Sequence, residues 1–164
     1  MVDHIVVTRV EPERTYRLRR DVLRPQLNVE DMVMFGDDGS DTGIYGAVIE
    51  STGELVGTAN VRRDPPPEGL LDDVAPGTDP QCWRLRGMAT RADLRSQGIG
   101  RRVLDACVGH VAEWGGGFLW CNARVPAQQF YERAGFHPWG EEFESVGIAH
   151  VVMWRNVEAE ENQA

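Results

Sequence analysis

The clearest helical pattern in the chain lies in residues 99–114. Apolar residues recur there at three- and four-residue intervals, and polar residues fall on the opposite arc, which predicts an amphipathic helix. Upstream, the partly alternating run 82–89 predicts a short strand. A strand therefore passes into a helix through residues 95–100, which read Arg-Ser-Gln-Gly-Ile-Gly.

The other apolar patterns predict a chain of alternating strands and helices. Strands are expected at 4–10, 44–50, 55–62, 118–122 and 146–154, with another beginning at Phe136, and helices at 11–24 and from Pro126 to Gly135. Residues 28–35 fit a short helix or an active-site loop. Residues 64–81 contain three consecutive prolines, at 65–67, and are expected to form a long loop. The acidic residues from Asn156 onward are expected to form a flexible tail, about 157–164.

The glycines of 95–100 have a chemical consequence. The first turn of a helix carries unpaired N–H groups and a partial positive charge, and glycines let an anion approach them. Arg95, Arg101 and Arg102 are expected to add mobile positive charge around the same turn, which predicts a diphosphate site. The chain has no lysine, which excludes a P-loop, and Val103 stands where a Rossmann turn needs its third glycine.

Length and composition limit the class of protein. The 164 residues fit one domain, 1–164, and contain no apolar run long enough to span a membrane. The first residues lack a signal-peptide pattern. Three cysteines, Cys82, Cys107 and Cys121, lie in apolar patterns without metal-ligand spacing. We therefore expect buried free thiols, no metal site and a cytoplasmic location.

The formal net charge of −9 argues against nucleic acid as a partner. It favours a cationic small substrate such as an amine. The acids at 37–41 fit either a solvated turn or a site for a cation or amine. Arg19 falls on the apolar arc of the first helix, where it either snorkels to the surface or points into a site.

Three blocks, in order, resemble the GNAT superfamily of N-acetyltransferases. Arg95, Gly98 and Gly100 match the family's coenzyme A pyrophosphate loop. Residues 122–136 resemble the family's segment in which a strand is followed by a short helix that carries Phe-Tyr, here Phe130-Tyr131, and then by Gly-Phe, here Gly135-Phe136. Residues 86–90 form the third block, which precedes the other two in the chain. The resemblance covers about 83–154, and the runs at 140–144 and 147–150 look like those of an uncharacterised subgroup.

The resemblance implies an α/β fold with a mixed, mostly antiparallel sheet of six or seven strands and about four helices, splayed near Met88 and Asn122. It implies an enzyme that uses acetyl-CoA as co-substrate, needs no metal, and acetylates a primary amine of a small molecule or peptide by direct transfer in a ternary complex. A homodimer is common in the family. The acceptor pocket would be formed by the first helix, the loop after it and the last hairpin.

The resemblance also implies roles for single residues. Backbone groups in the block Met88, Ala89 and Thr90 would hold the pantetheine arm, and the N–H of Met88 would stabilise an oxyanion. Asn122 would bond the pantetheine or the 3′ side of the cofactor. Tyr131 would direct its hydroxyl at the thioester sulfur, unless it is a core aromatic. The diphosphate would be surrounded by Ser96, Gln97, Gly98, Ile99, Gly100 and Arg101, next to Arg95.

The sequence does not decide which residue is the general base. Many family members use a carboxylate near the central strand, where this chain has Arg84 and Arg86. His150 is a candidate because histidine as a residue type exchanges a proton near neutral pH, unless it is a core or rim histidine, and Glu144, Glu141, Glu142 or a water chain are alternatives. A covalent step at Cys121 is disfavoured because an apolar strand raises a thiol pKa. Two other functions remain open: a non-catalytic acyl-CoA-binding or sensor module, and an α/β interaction domain whose loop is coincidental.

Overall fold

The computed structural model describes residues 4–33 and 37–161, which contain a mixed seven-stranded sheet. The strand order is β1-β2-β3-β4-β5-β7-β6. β4 and β5 run parallel, whereas β1–β2, β2–β3, β5–β7 and β6–β7 are antiparallel pairs. The predicted sheet is therefore confirmed. Its strands are β1 (Ile5–Arg9), β2 (Gly43–Ile49), β3 (Leu55–Arg63), β4 (Cys82–Thr90), β5 (Gly117–Arg124), β6 (His137–Ser145) and β7 (Ile148–Val157).

The described part of the chain has four α-helices and four short 3₁₀ helices. Three of the α-helices lie within predicted helices, but the first and the last of these begin with 3₁₀ turns that contain Pro12 and Pro126, and a fourth was not predicted. Within the ambiguous segment 28–35, Val29–Met32 form a 3₁₀ helix that begins with a capping box of Asn28 and Asp31, and residues 34 and 35 lie outside the described residues. The α-helices are α1 (Tyr16–Leu23), α2 (Leu70–Val74), α3 (Ile99–Glu113) and α4 (Gln128–Arg133), and the 3₁₀ helices are Pro12–Thr15, Val29–Met32, Ala92–Leu94 and Val125–Ala127.

The chain divides into two compact units. The first consists of the described residues of 1–62 and Leu85–His110, and the second consists of Arg63–Arg84 and 111–161. β1, β2 and α1 belong to the first unit, whereas α2, α4 and β5 to β7 belong to the second. β3, β4 and α3 contribute residues to both units. The prediction of a single domain stays a prediction.

In the first unit, α3 packs closely against β3 at Gly57. A Cβ atom at Gly57 would lie 2.9 Å from Cγ2 of Ile99 and 3.6 Å from Cγ2 of Val103. Both of these side chains are buried, so a side chain at position 57 would push the helix away. Gly57 therefore fixes the start of α3 and with it the end of the preceding loop.

The first unit also buries the charge of Arg19. Its side chain is fully buried, and Nη1 lies 3.6 Å from Oδ2 of Asp37. Burial lowers the pKa of Arg19, and Asp37 opposes that shift. Of the two alternatives for Arg19, snorkelling to the surface is wrong, because the side chain is fully buried beside Asp37. One acid of the 37–41 turn thus has a structural partner.

His110, near the end of α3, is a second buried polar residue of the first unit, and its sequence pattern did not distinguish it. Nε2 lies 2.7 Å from the carbonyl oxygen of Asp41, and Nδ1 lies 3.1 Å from the hydroxyl of Tyr45. A carbonyl only accepts, so Nε2 carries the proton and Nδ1 accepts from Tyr45. A Cβ atom at Gly43 would lie 2.5 Å from Nδ1, so the glycine makes room for the imidazole.

The second unit is organised around an apolar cluster on one face of the sheet. Leu70 of α2 is fully buried there with Phe118 and Trp120 of β5 and Val152 of β7. The expectation of an irregular loop over 64–81 is therefore wrong in its middle, because the apolar side chains of 70–74 fold as α2 onto the sheet. Asp73 fastens this helix by accepting a 2.8 Å hydrogen bond from Nε1 of Trp139.

The last strand begins and ends later than its sequence pattern indicates. β7 is Ile148–Val157 rather than 146–154, because Val146 adopts a left-handed φ of 53° in the preceding turn. Asn156 and Val157 pair with Phe118 and Gly117 and do not belong to a tail. The amide of Glu160 donates to the carbonyl of Ala112, which holds the chain beyond the strand as well.

Within the described residues, no helix is both long enough and apolar enough to cross a bilayer.

Leu70→Ala should lower the free energy of unfolding by about 2–5 kcal/mol, because it leaves a cavity beneath α2. Urea denaturation followed by tryptophan fluorescence measures this change. Asp72→Ala, on the exposed side of the same helix, should stay within about 0.5 kcal/mol of the wild type. Equal stabilities of the two variants would contradict the role of Leu70.

Candidate active site

The turn between β4 and α3 has an unusual backbone. Ser96 and Gly98 adopt φ values of 66° and 80°, and left-handed φ is uncommon for a residue other than glycine. The carbonyl of Gly98 accepts a 3.2 Å hydrogen bond from the amide of Arg102. The amides of the intervening residues 99–101 therefore precede the first intrahelical bond and are available to a ligand.

The space around this turn is open. A Cβ atom at Gly98 would meet no described atom within 4 Å, and residues 95–98 are exposed. Ile99, which follows, is buried, so it anchors the helix while the turn before it faces solvent. An exposed left-handed turn at a helix N-terminus suits an anion such as a diphosphate.

Arg91 fastens the segment that leads into the turn. Its backbone amide donates to the carbonyl of Val56 at 2.8 Å, and its side chain pairs with Glu54 and Asp93. The hydrogen bonds that Arg91 donates to these carboxylates raise its pKa, and the hydrogen bonds that Asp93 accepts from Arg91 lower the pKa of Asp93. These exposed ion pairs orient the segment and contribute little to stability.

Two of the three arginines near the turn are held by other groups. Nε of Arg101 donates to Oδ1 of Asp105 at 2.9 Å, one helical turn further on. Nη2 of Arg102 donates to the carbonyl of Ile5 at 3.0 Å. The expectation of mobile positive charge is therefore wrong for these two side chains. Arg95 is exposed and makes no ion pair with the described part of the chain.

The end of β4 contains the predicted pantetheine-binding residues. Ala89 is buried, whereas Met88 and Thr90 are half-buried. Gly87, immediately before Met88, has a left-handed φ of 65° within β4, an irregularity of the kind that changes the direction of the neighbouring backbone groups. These residues and the turn 95–98 belong to the same unit. The predicted splay of the sheet stays a prediction.

Tyr131 belongs to the second unit. It lies in α4 and is 6% exposed. Its ring makes edge-to-face contacts with Phe130, at 5.1 Å between centroids, and Phe136, at 5.4 Å. Packing on two sides fixes the ring, so its hydroxyl has a defined direction. This geometry suits both a core aromatic and a positioned proton donor.

His150, also of the second unit, has a defined tautomer. It is 7% exposed, and its ring stacks on Phe143 at 5.6 Å. Nδ1 lies 2.8 Å from the carbonyl oxygen of Ile148. Since the carbonyl only accepts, Nδ1 donates, and Nε2 of the neutral ring keeps a lone pair. Nε2 makes no hydrogen bond with any described residue. His150 can therefore act as a base through Nε2.

Glu144 and His150 lie on opposite faces of the sheet. Glu144 pairs with Ala149, whereas His150 pairs with Phe143, and consecutive residues of a strand point to opposite faces. Glu144 is exposed, as are Glu141 and Glu142. The structure therefore does not bring Glu144 and His150 together.

Asn122 shares a sheet face with His150. It lies in β5 opposite Val152 of β7, and His150 is two residues before Val152 on that strand. The side-chain oxygen of Asn122 is buried and accepts no hydrogen bond from the described residues. Buried acceptors are normally satisfied, so this oxygen is a candidate for a ligand contact.

Comparison with known proteins agrees with these features. The model of the acetyltransferase (GNAT) family matches residues 12–136. An uncharacterised N-acetyltransferase of Bacillus subtilis, YitI, is 30% identical over 152 residues, which are 92% of this chain and 95% of that protein. The chain belongs to the GNAT family.

Two solved structures show how widely the GNAT fold is shared. The ribosomal-protein-S18-alanine N-acetyltransferase of Escherichia coli superposes with a TM-score of 0.68 at 14% identity, over 98% of this chain and 99% of that one. An aminoglycoside 6′-N-acetyltransferase complexed with coenzyme A superposes with a TM-score of 0.67 at 14% identity, over 96% and 99%. At these identities, the likeness establishes the fold.

Family membership makes this protein an N-acetyltransferase. GNAT acetyltransferases use acetyl-CoA as co-substrate and act on amines of small molecules or proteins. Within the described residues, no group of three or more His, Cys, Asp or Glu side chains is placed to hold a metal ion.

The cysteines of this GNAT chain are poor nucleophiles. Cys107 and Cys121 are fully buried, and burial raises both pKa values, that of Cys121 to about 12. Burial also raises the pKa of the half-buried Cys82. A thiolate at Cys121 is therefore disfavoured near neutral pH, in agreement with its apolar strand.

Arg84 has a contact that the sequence does not reveal. Its guanidinium lies 4.8 Å over the ring of Trp120, and Nη1 lies 3.6 Å from Oδ2 of Asp64. Asp64 also uses its backbone carbonyl, which accepts a 3.0 Å hydrogen bond from Nε1 of Trp120. These contacts fasten the start of the 64–81 segment within the second unit.

Proposed function

We propose that this protein transfers the acetyl group of acetyl-CoA directly to a primary amine of a small molecule or peptide, in a ternary complex. The observation that carries the proposal is the turn 95–98. It is exposed, left-handed at Ser96 and Gly98, and followed by helix amides that precede the first intrahelical bond. Such a turn binds a diphosphate, the group that distinguishes coenzyme A from a simple thioester.

The turn supplies backbone contacts more than side-chain charge. Ile99 is buried and contributes its amide alone, and Arg101 already pairs with Asp105. Arg95 supplies a cation that an exposed phosphate can attract. The proposed diphosphate site comprises Arg95, Ser96, Gln97, Gly98, Ile99, Gly100 and Arg101, and the proposed pantetheine contacts are the backbone groups of Met88, Ala89 and Thr90.

The chemistry needs one proton acceptor and one proton donor. The acceptor reaches the enzyme as an ammonium ion and must lose a proton before its nitrogen can attack the thioester carbonyl. The N–C bond then forms and the C–S bond breaks. The nitrogen gives up its second proton as the departing sulfur takes one up, so the group that donates to the sulfur regains its proton. We assign the donor role to the hydroxyl of Tyr131 and the stabilisation of the oxyanion to the amide of Met88.

His150 is our first assignment for the proton acceptor. Its Nδ1–H donates to Ile148, which leaves the lone pair on Nε2 and fixes the plane of the ring. Glu144 is the second assignment. Its carboxylate is exposed and has no comparable orientation, so it is the weaker candidate.

Gly98→Asp should abolish binding of acetyl-CoA, because it places a carboxylate where the diphosphate binds. Acetyl-CoA at 100 times its Kd should add about 2.7 kcal/mol to the stability of the wild type, and a thermal melt with and without cofactor reads this out. The variant should melt as a folded protein but show no shift.

Gly77→Asp is the matched control, because Gly77 also has a left-handed φ, 77°, with no described atom near its Cβ position. The Gly77→Asp variant introduces the same backbone strain and the same charge, but in the second unit. Acetyl-CoA should therefore raise its melting temperature as much as that of the wild type. A Gly98→Asp variant that still binds acetyl-CoA would contradict the assigned loop. Binding by the wild type without acetylation of any amine would indicate a non-catalytic acyl-CoA module.

Tyr131→Phe should lower kcat about 100- to 10,000-fold, the usual contribution of a positioned acid, with little change in cofactor affinity. The substitution keeps the ring between Phe130 and Phe136 and removes only the hydroxyl. Stopped-flow detection of free thiol and calorimetric titration of acetyl-CoA separate the two quantities. Unchanged turnover would make Tyr131 a core aromatic.

His150→Gln and Glu144→Gln distinguish the two proposed bases. His150→Gln should lower kcat by about two to four orders of magnitude and remove the acidic limb of the pH–rate profile. Glu144→Gln should leave kcat within about twofold of the wild-type value and should keep the acidic limb. The reverse outcome would assign the proton transfer to Glu144.

A further inference from the structure

Asn122 and His150 are neighbours on one face of the second unit. Asn122 lies opposite Val152 on adjacent antiparallel strands, and His150 is two residues from Val152. Their side chains therefore emerge on the same face as diagonal neighbours, with Cβ atoms about 7 Å apart. A single small group can contact both.

Both side chains present a hydrogen-bond acceptor that has no partner in the described part of the chain. The side-chain oxygen of Asn122 is buried and unpaired. Nε2 of His150 keeps its lone pair because Nδ1 donates to Ile148. Two unsatisfied acceptors side by side suit a group with several donors, and an ammonium or amine nitrogen is such a group.

The charge of the second unit favours the same ligand. Residues 63–84 and 111–164 contain thirteen Asp and Glu against five Arg, a formal charge of −8. The rest of the chain contains thirteen acids against twelve Arg, a charge of −1. Nearly all the negative charge therefore lies in the unit that holds Asn122 and His150. One cation, Arg124, lies directly opposite His150 on the adjacent strand, but the net charge of the unit favours a cationic amine over a phosphate.

We infer that Asn122 binds the nucleophilic amino group of the acceptor substrate, next to His150, and does not bind the cofactor. The inference rests on the proposed acetyl transfer. It departs from the GNAT resemblance, which implies a pantetheine or 3′-side contact for this residue.

In this arrangement, one N–H bond of the acceptor donates to the side-chain oxygen of Asn122. A second N–H gives its proton to Nε2 of His150, and the freed lone pair attacks the thioester carbonyl. Asn122 thus holds the nitrogen in one orientation while the proton leaves. Its removal should weaken amine binding and leave cofactor binding intact.

The test compares Asn122→Ala with the wild type on the best acceptor from 1,3-diaminopropane, spermidine, lysine and phenylethylamine. Asn122→Ala should raise the KM for the amine about ten- to hundredfold, the range for a hydrogen bond to a charged group. The Kd for acetyl-CoA, measured by calorimetry, should stay within twofold. Asn156→Ala, at an exposed position of β7, is the matched control and should change neither constant.

Asn122→Asp keeps an acceptor at the same place and should restore most of the amine affinity. Its carboxylate stabilises the protonated imidazole nearby, so the acidic limb of the pH–rate profile should move to higher pH. A residue with only a structural role would produce neither effect.

Weaker acetyl-CoA binding in Asn122→Ala with an unchanged amine KM would overturn the inference and assign Asn122 to the cofactor. Unchanged constants in an active enzyme would overturn it as well. Absence of acetylation by the wild type across the amine panel would instead refute the proposed function, and the inference would fall with it.

Discussion

Parallel strands cannot be joined by a tight turn, and this constraint places the candidate cofactor loop. β4 and β5 pair in parallel through Cys82–Arg84 and Phe118–Trp120, so the chain must cross over between them, and α3 is that crossover. The turn 95–98 is where the chain leaves β4 for the helix. Gly57 fixes the start of the helix, and Arg91 ties the approach to β3. The left-handed turn and its available amides follow from these restraints.

The second unit orients its chemical groups through the backbone. His150 owes its tautomer to a main-chain carbonyl two residues away, and Tyr131 owes its orientation to aromatic neighbours in the same helix and the next segment. Both orientations thus depend on packing and backbone contacts within the second unit.

The sequence predicted the parts of the fold that depend on local pattern. The strand, glycine turn and helix around residues 82–113 could be predicted because the apolar spacing changes there from that of a strand to that of a helix, and the glycines that the turn needs lie at the same place. α2 was missed because five residues are too few for a helical period and its stability comes from burying Leu70. The extent of β7 was misjudged because the pairing of Asn156 and Val157 with β5 is a tertiary contact.

The candidate site also has parts that follow from local sequence and parts that depend on tertiary contacts. The diphosphate loop is a local motif, so its residues could be named from the sequence. The burial of Arg19, the bonds that hold Arg101 and Arg102, and the separation of Glu144 from His150 depend on which strands pair and which faces they share. The orphaned oxygen of Asn122 likewise becomes visible only when the surrounding atoms are placed.

The position of β7 in the sheet determines which unit can be completed first during translation. It lies between β5 and β6 in the sheet although it follows both in the chain. The first unit has all its residues once the ribosome has passed His110. The second must wait for Val157, and until then β6 has no neighbouring strand and β5 lacks one of its two. Nascent chains of this protein therefore carry open strand edges until translation is nearly complete, the period in which chaperones matter most.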